Sequence, residues 1–453
     1  MVNMNKLKMI VLFLVLLTGM GMKGQSEKSK IETRLDWFKD AKLGIFIHWG
    51  YYGVNGIGES WSMYHKSISY EAYMAQGEKF TAANYKPEQW AALFKKVGAR
   101  YAVLTTKHHD GVALWNTSLS HLNVVEKTPA KRDLVRPFAD ALRNEGLKVG
   151  LYYSLCDWSH PDYQVVFPRP DTRKNYPQKN QKELSEWQRF VKFYKGQLKE
   201  LSDNFDPDLY WFDGDWEKSS EQWRAQSLKD SLLAWNPEVI VNSRLKTYGD
   251  YSTPEQGIPV VPPKGPWEFC MTMNDNWGYY PSDTNYKPIA QIVRTFVEVI
   301  ASGGNLLLNI GPKPDGSIAK EQEDRLLALG DWIRMHEEAV FDSKAGLPYG
   351  HFYGPTLLSK DNTKIYLCLF DSPNNYISLK GIQNKVKSIK VVGRSEQLDF
   401  ERNGGAAWNN IPGILRIQSP AKENLDPFVT VLEVELEGEL NLYRGHGNAV
   451  ELN

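Results

Sequence analysis

The sequence predicts an α/β fold, a (β/α)8-like TIM barrel followed by a C-terminal β-sandwich. Three observations carry that expectation. From Leu35 to about Ser343, seven short apolar runs alternate with helical patterns. Polar residues gather where those runs end. Beyond Asp342 the texture becomes short and β-rich, broken by Gly, Asn, Pro and Ser. Strand–helix alternation repeated this often implies a parallel sheet covered by helices. A chain of 453 residues also suits about two or three domains, at roughly 100–200 residues each.

Taken in order, Lys6 and Lys8 precede an apolar run from Met9 to Leu17, followed by Gly19, Gly21 and Gly24 and the polar Gln25-Ser26-Glu27-Lys28. This is the pattern of a cleavable signal peptide over residues 1–24, too short for the roughly 20 residues that span a bilayer. A secreted or periplasmic protein is expected, with no membrane insertion and no Cys nearby to carry a lipid. The barrel is expected over 30–343. Its strands are Leu43–Trp49, Tyr101–Thr106, Lys148–Leu155, Asp208–Phe212, Glu238–Asn242, Trp267–Thr272 and Asn305–Ile310. Between them, Trp90, Leu93, Phe94 and Val97 fall at i, i+3, i+4, i+7, with Pro87 suited to a first turn and Gly98 to the position past the end. Similar patterns cover Leu134–Asn144, Lys182–Leu201, Ser219–Trp235 and Ile289–Ala301. No glycine-rich phosphate loop follows the first strand, which weighs against a nucleotide-binding sheet. Residues 344–453 are expected to form the sandwich, from Lys364–Phe370, Tyr376–Leu379, Lys387–Val392, Ile414–Ile417 and Phe428–Leu436. The last run alternates as a half-buried strand does.

Composition excludes several functions. Lys+Arg and Asp+Glu are equal at 54 each, whereas a nucleic-acid binder carries a basic excess. Three scattered cysteines, Cys156, Cys270 and Cys368, make neither a disulfide framework nor a Cys-rich zinc site. Aromatic content is high, with 15 Trp, 23 Tyr and 18 Phe. That fits either a large Trp-rich core or platforms that stack on sugar rings.

A barrel builds its active site at the C-terminal ends of its strands, and five consecutive strands here end in polar residues. They end in His48-Trp49-Gly50, in Lys107-His108-His109-Asp110-Gly111, near Tyr152-Tyr153-Ser154 with Asp157-Trp158 following, in Trp211-Phe212-Asp213-Gly214-Asp215, and in Asn242-Ser243-Arg244. A metal site is not expected: His108 and His109 are adjacent, and neighbours on an extended segment point to opposite sides. Nor is there a His-x-His or His-Glu-x-x-His motif. Imidazoles that hydrogen-bond a hydroxyl-rich ligand fit better. Asp213 follows the apolar Leu209-Tyr210-Trp211-Phe212, so it should project from a buried strand into a walled pocket. With a second carboxyl it suits glycosidic chemistry, which needs one ionised and one protonated carboxyl group. Glu255 and Glu268 are both candidates for the second, and spacing does not choose between them.

These motifs carry a resemblance. Phe46-Ile47-His48-Trp49-Gly50, Thr106-Lys107-His108-His109-Asp110-Gly111, Trp211-Phe212-Asp213-Gly214 and Gly304-Asn305-Leu306-Leu307-Leu308-Asn309-Ile310-Gly311-Pro312 resemble the α-L-fucosidases of glycoside hydrolase family 29, in one consistent order over about residues 35–340. The resemblance implies a barrel plus sandwich, no metal or cofactor, and hydrolysis with retention. By motif it implies that Asp213 is the nucleophile and Glu255 the acid/base, with Glu268 a neighbouring site residue. His48, His108, His109 and Tyr152 match sugar-binding positions, Trp211 and Trp277 aromatic walls, and Arg244 an arginine near the nucleophile. The family's usual Glu-Trp pair after the first strand is here Glu59-Ser60-Trp61. Either Glu59, displaced by one residue, still grips the sugar beside Trp61, or Ser60 replaces it. The expected substrate is a glycan ending in α-L-fucose. Alternatives are an α-L-galactosidase of the same mechanism and a catalytically silent carbohydrate-binding protein.

Overall fold

All seven predicted runs form strands in the computed structural model, which describes residues 33–163 and 181–445. The expected signal peptide lies outside the described residues. The strands are β1 (Leu43–Ile47), β2 (Tyr101–Lys107), β3 (Lys148–Ser154), β4 (Leu209–Asp213), β5 (Ile240–Val241), β6 (Glu268–Thr272) and β7 (Asn305–Ile310). They make one parallel, curled sheet in the order β5-β4-β3-β2-β1-β7-β6. The edge strands β5 and β6 are joined through residues 251–255, by parallel bridges from Asn242 to Tyr251, Ser252 to Trp267 and Glu255 to Cys270. The Glu268 N–H donates to the Ser252 carbonyl at 2.9 Å and the Cys270 N–H to that of Pro254 at 3.1 Å. Glu255 is thereby fixed on a bridging segment rather than on a free loop.

Both faces of this sheet are apolar, which is why its strands read as continuous hydrophobic runs. One face, with Ile45, Leu104, Leu151 and Leu308, packs under the helices. The other, with Phe46, Val103, Tyr152, Trp211 and Leu307, lines the inside of the curl. The longer helices are α1 (Pro87–Lys96), α2 (Val135–Asn144), α3 (Gln181–Phe205), α4 (Ala225–Trp235), α5 (Ile289–Ala301) and α6 (Lys320–Met335). In α1, Pro87 opens the helix and the buried Trp90, Ala91 and Phe94 face the sheet. Helix α4 starts later than its Ser219–Trp235 pattern because Arg224 adopts a left-handed backbone, φ 52°, which breaks the helical run.

From Ser343 the chain forms two antiparallel sheets. Strands β8 (Ser343–Ala345), β9 (Thr356–Ser359), β10 (Lys364–Leu369), β12 (Val386–Val391) and β15 (Thr430–Leu436) form one, in the order β12-β15-β10-β9-β8. Strands β11 (Tyr376–Leu379), β13 (Phe400–Asn403) and β14 (Ile414–Gln418) form the other, in the order β11-β14-β13. Leu367, Val434, Ile377 and Ile417, drawn from both sheets, share one buried cluster. On its other face the larger sheet joins the core of the helical layer through Tyr366, Cys368 and Val431. There the Trp332 indole N–H donates to the Val429 carbonyl at 3.0 Å.

Candidate active site

Asp213 is the last residue of β4 and is buried. The turn beyond it needs Gly214, whose φ of 79° is left-handed and whose missing Cβ would lie 2.5 Å from Cys156 Sγ. Two donors hold the carboxylate: Tyr152 OH reaches Oδ2 at 2.8 Å, and an Arg244 terminal nitrogen reaches Oδ1 at 2.9 Å. Burial by itself would raise this carboxyl's pKa. The Arg244 charge, with the hydrogen bonds from Arg244 and Tyr152, outweighs burial and holds Asp213 below the ordinary aspartate value. The other terminal nitrogen of Arg244 donates to Glu255. One planar guanidinium therefore spans both candidate carboxyls. Its underside rests on Trp211, 4.5 Å from the ring centroid, a cation–π contact that fixes its plane.

Three histidines line the same end of the sheet, each anchored from behind through Nδ1. His48 Nδ1 lies 2.7 Å from Asn309 Oδ1, His108 Nδ1 lies 2.6 Å from Ser60 Oγ, and His109 Nδ1 lies 2.6 Å from Ser154 Oγ. Asn309 spends its amide N–H on the Trp277 carbonyl at 2.7 Å, so its oxygen must face His48. His48 Nδ1 is then the donor and Nε2 a bare acceptor. Burial keeps these rings neutral, pushing His48 and His109 down to about 4 and His108 well below its usual value. The expectation that His108 and His109 point to opposite sides is corrected here. Strand β2 ends at Lys107, so both rings lie in the following turn, where strand alternation no longer applies, and their centroids are 4.3 Å apart.

Ligand-type atoms of His108, His109 and Asp213 lie within 4.8 Å of one another. The set does not suit a cation, because both Asp213 oxygens already accept hydrogen bonds and the Arg244 charge sits against them.

The remaining predicted residues divide by depth. Trp277 is half-buried and leans on His48, centroids 4.9 Å apart, as a wall. Trp211 is buried beneath Arg244 and parallel to Tyr152, at an interplanar angle of 18°, as a floor. Glu268, the first residue of β6, is fully buried. It accepts from Tyr101 OH on one oxygen and from the Trp211 indole N–H, at 2.9 Å, on the other. Burial pushes its pKa up to about 7 despite these bonds. In the loop after β1, Glu59 is buried and accepts the Gly278 N–H at 2.6 Å, which pins the turn beside Trp277. Burial also raises the Glu59 pKa. Ser60 is consumed behind His108, where it also accepts the Asp110 N–H at 3.0 Å. Trp61 packs against His109 and Trp158, at 5.5 and 5.1 Å.

The chain's relatives all point to one family. The α-L-fucosidase family profile matches residues 22–338. The chain belongs to the α-L-fucosidase family, and is a glycoside hydrolase. It is 32% identical to the tissue α-L-fucosidase of Mus musculus over 90% of this chain and 91% of that one. Among solved structures it is similar to α-L-fucosidase isoenzyme 1 from Paenibacillus thiaminolyticus, 34% identical with a TM-score of 0.79, over 90% of this chain and all of that one. It is also similar to the Thermotoga maritima α-fucosidase in complex with fucose, 30% identical with a TM-score of 0.70, over 88% and 96% of the two chains.

Sequence reasoning assigned no role to several residues of this fucosidase-family site. Trp216, partly exposed, lies parallel to Trp61 at 6.4 Å and edge-on to His109 at 5.9 Å. Its position three residues past Asp213 was the available signal. Trp158, which follows the third strand, donates its indole N–H to the buried Glu217 at 3.0 Å. Ser60, Ser154 and Asn309 stand within the sequence motifs, but their anchoring roles carry no sequence signal, since these depend on which imidazole folding places in front of them.

Proposed function

We propose that this chain is a secreted, retaining exo-α-L-fucosidase that releases terminal α-L-fucosyl residues from glycans by double displacement. Asp213 is the nucleophile and Glu255 the general acid/base. The observation that carries the reading is the Arg244 guanidinium, which holds both carboxyls at one place. Asp213, kept ionised by that cation, attacks the anomeric carbon and forms a covalent glycosyl–enzyme. Glu255, whose side chain is 35% exposed and open to solvent, gives its proton to the departing oxygen and then takes one from the attacking water. Two inversions return the α configuration. Glu268 is a poor rival for the acid/base role, since both of its oxygens are already engaged beneath Trp211.

Fucose suits the pocket better than L-galactose does. Two loop hydroxyls that could have read a 6-hydroxyl are spent, Ser60 Oγ on His108 and Asp110 and Ser62 Oγ on the Glu59 carbonyl at 3.1 Å, while the exposed His65 stacks its ring on Trp61. We read the curled parallel sheet, with residues 251–255 as its eighth stave, as a (β/α)8-like barrel over 30–343. The two antiparallel sheets that share a core form the sandwich at 344–453.

The test is turnover of an aryl α-L-fucoside by the wild type and by Asp213→Ala, with the first product followed by NMR. The α-anomer should appear first, and azide should restore some turnover to Asp213→Ala as a β-glycosyl azide. Initial release of the β-anomer would overturn the double-displacement assignment.

A further inference from the structure

Behind His109 the hydrogen-bond directions admit a single solution. The Ser154 hydroxyl lies 2.8 Å from the Cys156 carbonyl, which can only accept, so the one hydroxyl proton is spent there. The same Oγ lies 2.6 Å from His109 Nδ1, and having no second proton to give, it must accept. His109 therefore carries its proton on Nδ1 and leaves Nε2 as a lone pair. That Nε2 is fully buried, has no hydrogen-bond partner, and faces Asp213 Oδ2 at 3.7 Å. An unpartnered buried acceptor beside a carboxylate costs free energy in the empty site, unless a ligand hydroxyl enters and donates to it.

We infer that Ser154 is a positioning residue that locks His109 in the Nδ1–H tautomer, so that Nε2 is held open as an acceptor for a ligand hydroxyl and cannot donate to the nucleophile. The Cys156 carbonyl orients the hydroxyl, the hydroxyl orients the ring, and the ring presents its lone pair next to Asp213. The opposite tautomer would place an N–H against Asp213 Oδ2, which already accepts from Tyr152. Closing that gap would blunt the carboxylate and occupy the nitrogen that a sugar hydroxyl needs. The lock rests on the proposed fucosidase reading for its purpose, but not for its existence.

Removing the acceptor should invert the ring. In Ser154→Ala, a proton on Nδ1 would be buried without a partner, while a proton on Nε2 gains Asp213. The experiment is two-bond 1H–15N correlation on histidine-labelled protein, with the His109 signals assigned by their loss in His109→Gln, alongside kinetics on an aryl α-L-fucoside. The wild type should show Nδ1–H at His109. Ser154→Ala should show Nε2–H, a raised KM, a lowered kcat and kcat/KM down by about 10–100-fold, the scale of one misplaced hydrogen bond to a charged group. Ser154→Thr, which keeps the hydroxyl, should restore both tautomer and rate. The His48 tautomer, fixed by Asn309, should not move in any variant. Nε2–H in the wild type overturns the inference. So does a Ser154→Ala protein that loses rate with its tautomer unchanged, which would mark a packing role, or one that changes tautomer with kcat and KM intact. If the wild type turns over no fucoside, the functional reading fails, while the tautomer assignment still stands or falls on the spectrum.

Discussion

Replacing Arg244 with Gln should move the acid limb of the pH–rate profile upward, by an amount the structure sets. Arg244 makes one of the two hydrogen bonds to Asp213 and supplies its nearest positive charge, at 2.9 Å, and the Asp213 side chain is only 11% exposed, so solvent screens the pair little. A charge-assisted hydrogen bond to such a carboxylate contributes about 1.5–3 kcal/mol. At about 1.36 kcal/mol per pKa unit that corresponds to roughly one to two units. The sign follows from what remains. Burial is the largest influence on Asp213 and raises its pKa; without Arg244 the hydrogen bond from Tyr152 is left to oppose it. A nucleophile must be ionised, so activity is lost as pH falls through its pKa. The variant should therefore lose activity about one to two pH units sooner on the acid side. The assay is kcat/KM against pH with an activated aryl α-L-fucoside, which lessens dependence on Glu255. Tyr152→Phe is the control: it removes a neutral donor at 2.8 Å, typically worth about 1 kcal/mol, and should shift the limb by less than a unit. An acid limb unmoved in Arg244→Gln would refute the claim that Arg244 sets the ionisation of Asp213.

Other consequences can be checked alongside. Glu255→Ala should slow substrates with poor leaving groups far more than activated aryl ones, with azide giving the α-azide; the same pattern in Glu268→Gln instead would exchange the two roles. Because burial raises Glu268 to about 7 from an ordinary 4.5, its burial costs stability once it must ionise. Thermal stability from this group should thus hold below pH 4.5 and decline as pH rises through 7, a slope that melting curves of Glu268→Gln should lack. Fucosides should be preferred to L-galactosides in kcat/KM by about 10²-fold or less, as an apolar wall discriminates weakly against an added hydroxyl; a galactoside preference would reverse the substrate assignment. A strong chelator should leave the rate unchanged.

Much of the parallel-sheet half was legible because its strands are buried on both faces. Leu306-Leu307-Leu308 and Tyr101–Leu104 read as strands without needing a register. The less legible elements are those whose burial is one-sided or whose partners are distant. Strand β13, Phe400–Asn403, is an exposed edge of mostly polar residues, and residues 251–255 pair with β5 and β6 only through isolated bridges. The site divided in the same way. Strand ends announced His48, His108, Asp213 and Arg244, yet nothing local revealed that Ser60 would be used up behind His108 or that the His108–His109 pair would turn one way. Those facts depend on where strand pairing stops, which is a property of the sheet rather than of the pentapeptide.

On the proposed assignment, three carboxyl groups near one another do different work because of their surroundings rather than their chemistry. Asp213 sits at a strand end against a fixed cation and stays ionised. Glu268 lies one layer deeper, where no cation reaches it directly; Tyr101 and Trp211 take both of its oxygens and burial favours the neutral acid. Glu255 touches the same cation as Asp213 but stands at the exposed rim, where a departing oxygen and an incoming water can both reach it. Glycosidic cleavage asks two like side chains to play different parts, and under the proposed roles Asp213 and Glu255 differ in burial and in access to solvent. Arg244 is the hinge of that separation, because a single rigid group, stacked on Trp211, sets the charge on one carboxyl and the position of the other. A substitution that kept the charge but lost the planar fork, such as Arg244→Lys, would satisfy at most one of those demands.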